Sequence, residues 1–267
     1  MIHKAKKSMG QNFLKSEPAL RMMCEAGEVS DKDIVLEIGP GKGALTSRLL
    51  EKSKKVIAIE KDRDLITILE DKFAEEIENK KLELINQDIL EFDPNSYGLK
   101  NDGYKIIANI PYNITGAIFK KFLSEKTAPE TMVLLVQKEV AMRIVATDKK
   151  ESILSLSVKV YGNPKYMMKV GKRFFSPAPK VDSAIVAITN ISKNNFNSQE
   201  SEEKFFLIIK SAFSHKRKVL RKNLEGITTA DIIESMFKNL KIDQKARAED
   251  LPLPMWLEIH RYLSTYL

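Results

Sequence analysis

One short stretch, Ile34-Val-Leu-Glu-Ile-Gly-Pro-Gly-Lys-Gly43, limits the folds open to this chain. An apolar run broken only by Glu37 meets glycines at alternate positions, Gly39, Gly41 and Gly43, and residues 44–52 continue with helical patterning. That order predicts a buried strand, a tight turn and a helix start. Glycine serves where a backbone turns sharply or comes into contact with a ligand. In an open α/β sheet, a turn of this kind at a strand's carboxyl end is where ligands bind. An ordinary strand–helix turn with spare glycines is the plainer alternative.

The residues that follow repeat the alternation. Strands are predicted at residues 55–60, 82–88, 104–112, 132–136 and 184–188, and helices at 18–26, 64–77, 116–124 and 138–146. Residues 153–171 are ambiguous between helix and strand. We therefore expect an α/β, Rossmann-like, mostly parallel doubly wound sheet over residues 16–190. Residues 191–203, rich in Asn and Ser, read as a linker, and residues 204–267 as a small all-α domain. Residues 1–15 form a basic arm (Lys4, Lys6, Lys7, Lys15) which, taken alone, is a mobile tail with one hydrophobic anchor.

Charge and cysteine usage narrow the function. A net charge of +8 over 267 residues points to a polyanionic partner, nucleic acid before an acidic membrane surface. With Cys24 the only cysteine and three scattered histidines, neither a disulfide framework nor a zinc site is expected, and no metal. Lacking an apolar run of spanning length or a signal peptide, the chain is expected to be a cytoplasmic monomer that avoids membranes.

The chemistry sits at the strand ends. The glycine spacing is not the dinucleotide fingerprint, which needs two residues between its second and third glycines; here there is one, Lys42. Glu60, about twenty residues after Gly39 at the end of the second strand, can accept both hydroxyls of a ribose. Asp88, ending the third, can accept from an adenine amine or serve as a turn cap. An adenosine moiety without a pyrophosphate is the ligand this describes, and S-adenosyl-L-methionine fits it.

Asn109-Ile-Pro-Tyr112 is the sharpest signal. An exocyclic adenine amine is a poor nucleophile because its lone pair is delocalised. Two acceptors aimed at its hydrogens, the Asn109 side-chain oxygen and the Ile110 carbonyl, draw it toward a tetrahedral geometry. Pro111 holds Ile110 extended and so fixes that carbonyl. Tyr112 offers a flat face, and Phe175, in Phe174-Phe-Ser-Pro-Ala-Pro, a second one, although core packing suits a phenylalanine pair equally. Five cations, Lys216, Arg217, Lys218, Arg221 and Lys222, crowd seven positions, which we place on a helix beginning near Glu203; they suit RNA phosphates better than a capping role.

In this order the stretches Gly10-Gln-Asn-Phe-Leu14, Leu36-Glu-Ile-Gly-Pro-Gly-Lys-Gly43, Glu60, Gln87-Asp88, Asn109-Ile-Pro-Tyr112, Phe175-Ser-Pro-Ala-Pro-Lys-Val-Asp-Ser183 and the basic segment resemble the ribosomal RNA adenine dimethyltransferases over nearly the whole chain. Within them, the basic segment and Arg247-Ala-Glu-Asp-Leu251 favour the small-subunit dimethyladenosine transferases. That resemblance implies transfer of two methyl groups to each of two adjacent adenosines near the 3′ end of small-subunit rRNA, with the pre-ribosomal small subunit as partner. It also implies that Asn12 and Leu14 touch the co-substrate, with Gly39 at its methionine part, Glu60 at the ribose and Asp88 at the adenine. Asn109 would join co-substrate to target amine, and Tyr112 and Phe175 would hold the base. The chain departs from the group's pattern at residues 149–160, where an expected glycine-containing loop is short, which leaves RNA contacts there open. The competing readings are the Erm-type enzymes of large-subunit RNA, a non-catalytic assembly factor, and a nucleotide-dependent dehydrogenase that the glycine spacing disfavours.

Overall fold

The computed structural model describes residues 5–6, 9–215 and 217–267. The chain divides into two compact units, residues 1–141 with 162–192 and residues 142–161 with 193–267. Each is described in turn.

In the first unit, β1 (Phe13–Leu14) and α1 (Glu17–Ala26) precede the strand–turn–helix of β2 (Ile34–Ile38) and α2 (Ala44–Lys52). The chain continues through β3 (Lys55–Glu60), α3 (Arg63–Lys72), α4 (Ala74–Glu78), β4 (Leu82–Asn86), β5 (Lys105–Asn109), α5 (Thr115–Ser124), β6 (Thr131–Gln137) and the start of α6 (Lys138–Val145), whose residues from Met142 on are counted with the second unit. Seven strands form one sheet in the order β4-β3-β2-β5-β6-β9-β7, where β7 is Asn163–Val170 and β9 is Ser183–Thr189. Pairs β2/β3, β3/β4, β2/β5 and β5/β6 are parallel, as helical crossovers dictate. The chain leaves β2 toward β3 and β4, then returns on the other side through β5 and β6. The carboxyl ends of β2 and β5 therefore flank the switch point where doubly wound sheets bind ligands. The central strands are apolar on both faces, and Val35, Leu36, Ile106, Ile107, Val133 and Leu134 are wholly buried.

β9 runs antiparallel to both β6 and β7. Its reversal brings its first residue, Ser183, level with Gln137 at the end of β6 and Val170 at the end of β7. The β7–β9 hairpin loop thus opens at the same edge as the parallel strand ends. Inside it, β8 (Phe175–Ser176) pairs with β1, Leu14 opposite Phe175.

Two departures from the sequence reading have local causes. The helix expected over residues 64–77 breaks at Phe73, whose ring turns in beneath the glycine turn. Gly43 has φ +74°, and a Cβ there would lie 2.5 Å from Phe73 Cε2, so the turn and the break fit one another. The ambiguous residues 153–171 resolve as α7 (Ile153–Lys159) followed by β7. Ser152 starts that helix with a capping box closed by Ser155.

The second unit holds α7, α8 (Gln199–Ala212), α9 (Leu220–Leu224), α10 (Ala230–Asn239) and α11 (Leu253–Leu263). Trp256, Phe205, Phe237, Ile209, Leu220, Leu224 and Leu263 are buried in it. Ser198 caps α8, so the helix begins at Gln199, inside the expected linker. Phe196, also from that linker, packs edge-on to Phe205 at 5.4 Å. Residues 142–161 belong to this unit rather than to the sheet-bearing one, as the boundary at 190 had supposed. Helix α8 ends at Ala212, before the basic segment, which the sequence reading had carried on the same helix. Leu220 and Leu224 keep the apolar spacing because both bury in the separate short helix α9.

Candidate functional site

A cavity of about 670 Å³ opens at the carboxyl edge of β2, β3 and β5, in the sheet-bearing unit. Asn12, Leu14, Gly39, Glu60, Asp88, Asn109, Ile110, Pro111 and Tyr112 all line it. The fold brings these together: Glu60, Asp88, Asn109 and Tyr112 each end a strand of the sheet or lie just beyond one, and Asn12 joins them from the arm before β1.

Gly39 and Gly41 take φ of +65° and +59°. A Cβ at Gly41 would be 2.9 Å from Phe13, whereas one at Gly39 meets nothing within 4 Å. The Gly39 backbone therefore faces open space, a cradle that a side chain would fill. Glu60 is buried; its Oε1 accepts from Asp62 N–H at 2.9 Å and its Oε2 from Gly41 N–H at 3.3 Å, and burial pushes its carboxyl above the usual range. Each oxygen keeps a further lone pair, enough for two hydroxyl donors. Asp88 pairs with Lys61 at 2.7 Å, which holds its carboxyl below the usual range, while its Oδ1 accepts from Leu90 N–H at 3.0 Å. It is a turn-capping residue and an ionised cavity-lining acceptor at once.

The amino-terminal arm is anchored where described. Lys6 and Gln11 donate to the two Asp62 oxygens at 2.6 and 2.7 Å, and Asp62 in turn caps α3. Lys4 and Lys7 lie outside the described residues. Asn109 Nδ2 donates to the Asn12 carbonyl at 3.1 Å. With its nitrogen committed there, the amide presents Oδ1 as its acceptor end. Pro111 has φ −59° and ψ 132°, and Tyr112 opens a single 3-10 turn into α5. The Tyr112 hydroxyl and Ser183 Oγ are 2.6 Å apart, so the reversed strand β9 fixes the ring's orientation. Burial raises the phenol above its ordinary value.

Phe175 is not on the cavity wall. It is 5% exposed and packs in the core with Leu14 and Val170. Pairing opposite Leu14 turns Phe175 inward, and Phe174, the last residue of the 3-10 turn Lys172–Phe174 just before β8, is left exposed. Of the two stacking faces expected, the structure puts only Tyr112 at the cavity.

Arg217 and Lys218 fall on the loop after α8, and Arg221 and Lys222 on α9. Arg217, Lys218 and Lys222 are exposed and Arg221 half-buried. Arg221 reaches Glu234 at 3.8 Å and Lys222 reaches Glu225 at 2.9 Å. Lys216 lies outside the described residues.

Glu37 is the residue that strand patterning passed over. It is fully buried on β2, lines the cavity, and its Oε2 has no hydrogen-bond partner among the described residues. Burial, reinforced by the nearby Glu60, pushes its carboxyl up to about 8. The available signal was a lone acid inside an apolar strand.

The sheet order, the glycine turn and a cleft edged by the carboxylates of Glu60 and Asp88 define an α/β protein of the Rossmann-like class with its cleft at the switch point. A sequence model of the ribosomal RNA adenine dimethylase family matches residues 2–265, and the chain belongs to that family. It is 38% identical over 262 residues to ribosomal RNA small subunit methyltransferase A of Fusobacterium nucleatum, with 97% of each chain covered. Among solved structures, a dimethyladenosine transferase from Plasmodium falciparum is similar at 25% identity and a TM-score of 0.80, over 95% of this chain and 98% of that one. The 23S rRNA methyltransferase ErmE shares the fold, with a TM-score of 0.78 at 24% identity, over 95% of this chain and 100% of that one.

Proposed function

We propose that this protein uses S-adenosylmethionine to methylate the exocyclic 6-amino groups of two adjacent adenosines near the 3′ end of small-subunit rRNA, each of them twice. One observation carries the reading: Asn109 stands at the end of β5, on the cavity wall, with its amide turned by the Asn12 carbonyl so that Oδ1 is its acceptor. The full-length likeness to a small subunit methyltransferase A supports the choice of RNA.

The residues present suit the co-substrate. The open Gly39 cradle and the unpartnered Glu37 oxygen match its ammonium-bearing amino-acid end, Glu60 its ribose hydroxyls and Asp88 its adenine amine. Bound there, it supplies an electrophilic methyl group. The chain's own part is orientation. Asn109 Oδ1 and the Ile110 carbonyl accept the two hydrogens of the target amine, Pro111 fixes the second acceptor, and Tyr112, tied to Ser183, supports the base. An amine that gains a methyl group becomes acidic and sheds its proton readily, so no strong base is needed. The helical unit supplies phosphate contacts through Lys216, Arg217, Lys218, Arg221 and Lys222.

The direct test is transfer of labelled methyl groups to undermethylated small and large ribosomal subunits, with mass spectrometry of the nucleosides. Dimethyladenosine in small-subunit RNA alone is expected. Label in large-subunit RNA would move the chain to the resistance-type activity; no label, with RNA still bound, would leave an assembly factor. Neutralising Lys216, Arg217 and Lys218 together is expected to weaken RNA binding and flatten its logarithmic salt slope by roughly two to three units. An unchanged slope would mark the segment as a solvated face.

A further inference from the structure

Phe174 is the outward ring of the phenylalanine pair, 37% exposed in the β7–β9 hairpin loop. The Arg173 guanidinium lies over that ring, 5.0 Å from its centre. Lys172 and Lys180 of the same loop are exposed too.

The loop is held at the catalytic edge by several ties. Lys172 N–H donates to Asp182 Oδ1 at 3.0 Å, and Lys169 bridges to Asp182 at 2.9 Å. Ser183, which closes the hairpin opposite Val170, is the partner of Tyr112. The Phe174 carbonyl accepts from the backbone of Lys15 at 2.8 Å, and Lys15 is an exposed residue that also lines the cavity. A flat aromatic–guanidinium pair, on a loop that also carries the exposed Lys172 and Lys180, thus stands one backbone hydrogen bond from the cavity wall, without being part of that wall.

Unpaired RNA bases stack on aromatic rings and on guanidinium planes, and cations beside them take the phosphates. Because Phe174 is outside the cavity, it cannot hold the base presented to Asn109. We propose that Phe174 and Arg173, flanked by Lys172 and Lys180, form a stacking platform for an unpaired nucleotide next to the target adenosine. This rests on the rRNA-methylating function above and adds a positioning residue to it. Stacking there holds the neighbouring nucleotide outside while the target base occupies the cavity, and the phosphates between them lie against the loop's cations.

Phe174→Ala, Phe174→Trp and the unaltered chain would be compared in methyl transfer to undermethylated small subunits. The expected result is a KM for the particle raised about tenfold in Phe174→Ala, with kcat and the KM for S-adenosylmethionine within about twofold of the unaltered chain. Phe174→Trp, which keeps a stacking face, is expected to restore the KM. An unchanged KM in Phe174→Ala, or a Phe174→Trp variant as impaired as Phe174→Ala, would overturn the platform alone. No transfer by the unaltered chain would bring down the methylating function and the platform with it.

Discussion

Replacing Asn109 with alanine is expected to slow methyl transfer by about a thousandfold or more while leaving RNA binding within a few-fold of the unaltered protein. Without an acceptor at this position, the target amine keeps its lone pair in the ring and points nowhere in particular. Preorganised polar groups aimed at a reacting centre are worth about 10²–10³ each in kcat, and loss of orientation adds to that. Asn109→Asp separates the two duties of the amide. It keeps an oxygen for the amine but loses the donor to the Asn12 carbonyl, now facing an oxygen instead. It is expected to fall between alanine and the native residue. Nucleoside mass spectrometry after single-turnover reactions measures the loss, and filter binding measures RNA affinity. Normal methylation by Asn109→Ala would remove this account of the catalytic residues.

The second large effect concerns Glu37 and pH. Its folded-state carboxyl is pushed up to about 8, above its ordinary value of 4.5, chiefly by burial. A raised folded value means the folded chain binds the extra proton between those limits. The stability this contributes is full below about 4.5 and is lost as pH rises through about 8. From pH 5 to pH 8 the loss approaches ~4 kcal/mol, at about 1.36 kcal/mol per unit. Glu37→Gln, neutral at every pH, is expected to remove that slope, so its melting temperature should exceed that of the unaltered protein increasingly toward pH 8. Binding has the opposite sign. A cationic co-substrate beside Glu37 favours the carboxylate and expels the proton. Calorimetry near pH 7 in buffers of different ionisation enthalpy should register close to one proton released by the unaltered protein and none by Glu37→Gln. Equal release by the two would show that Glu37 stays protonated throughout.

How far the sequence led depended on the range of the interactions involved. The placing of the glycine turn, the acids ending β3 and following β4, and Asn109-Ile-Pro-Tyr112 at one sheet edge was legible because each is a local pattern at a strand end. The packing of Phe175 was not, because a phenylalanine that packs and one that stacks on a base look alike in sequence, and its place opposite Leu14 depends on a strand pairing far along the chain. The helix drawn through the basic segment failed for a related reason. Leu220 and Leu224 keep helical spacing with Phe205 and Ile209, yet α8 ends at Ala212 and they lie on the separate helix α9. The arm's place depends on Lys6 and Gln11 meeting Asp62, more than fifty residues along the chain, which no local pattern carries.

The reversed strand β9 also divides the work of the sheet's edge. The turns after β2, β3 and β4, where we place the co-substrate, lead into crossovers between parallel strands. The loop between β7 and β9 is a hairpin end pinned at Val170 and Ser183. On the platform proposed above, this loop meets the RNA while the parallel strand ends hold the methyl donor. A loop exchanged between relatives at those two residues should carry target preference with it and leave the use of the methyl donor where it was.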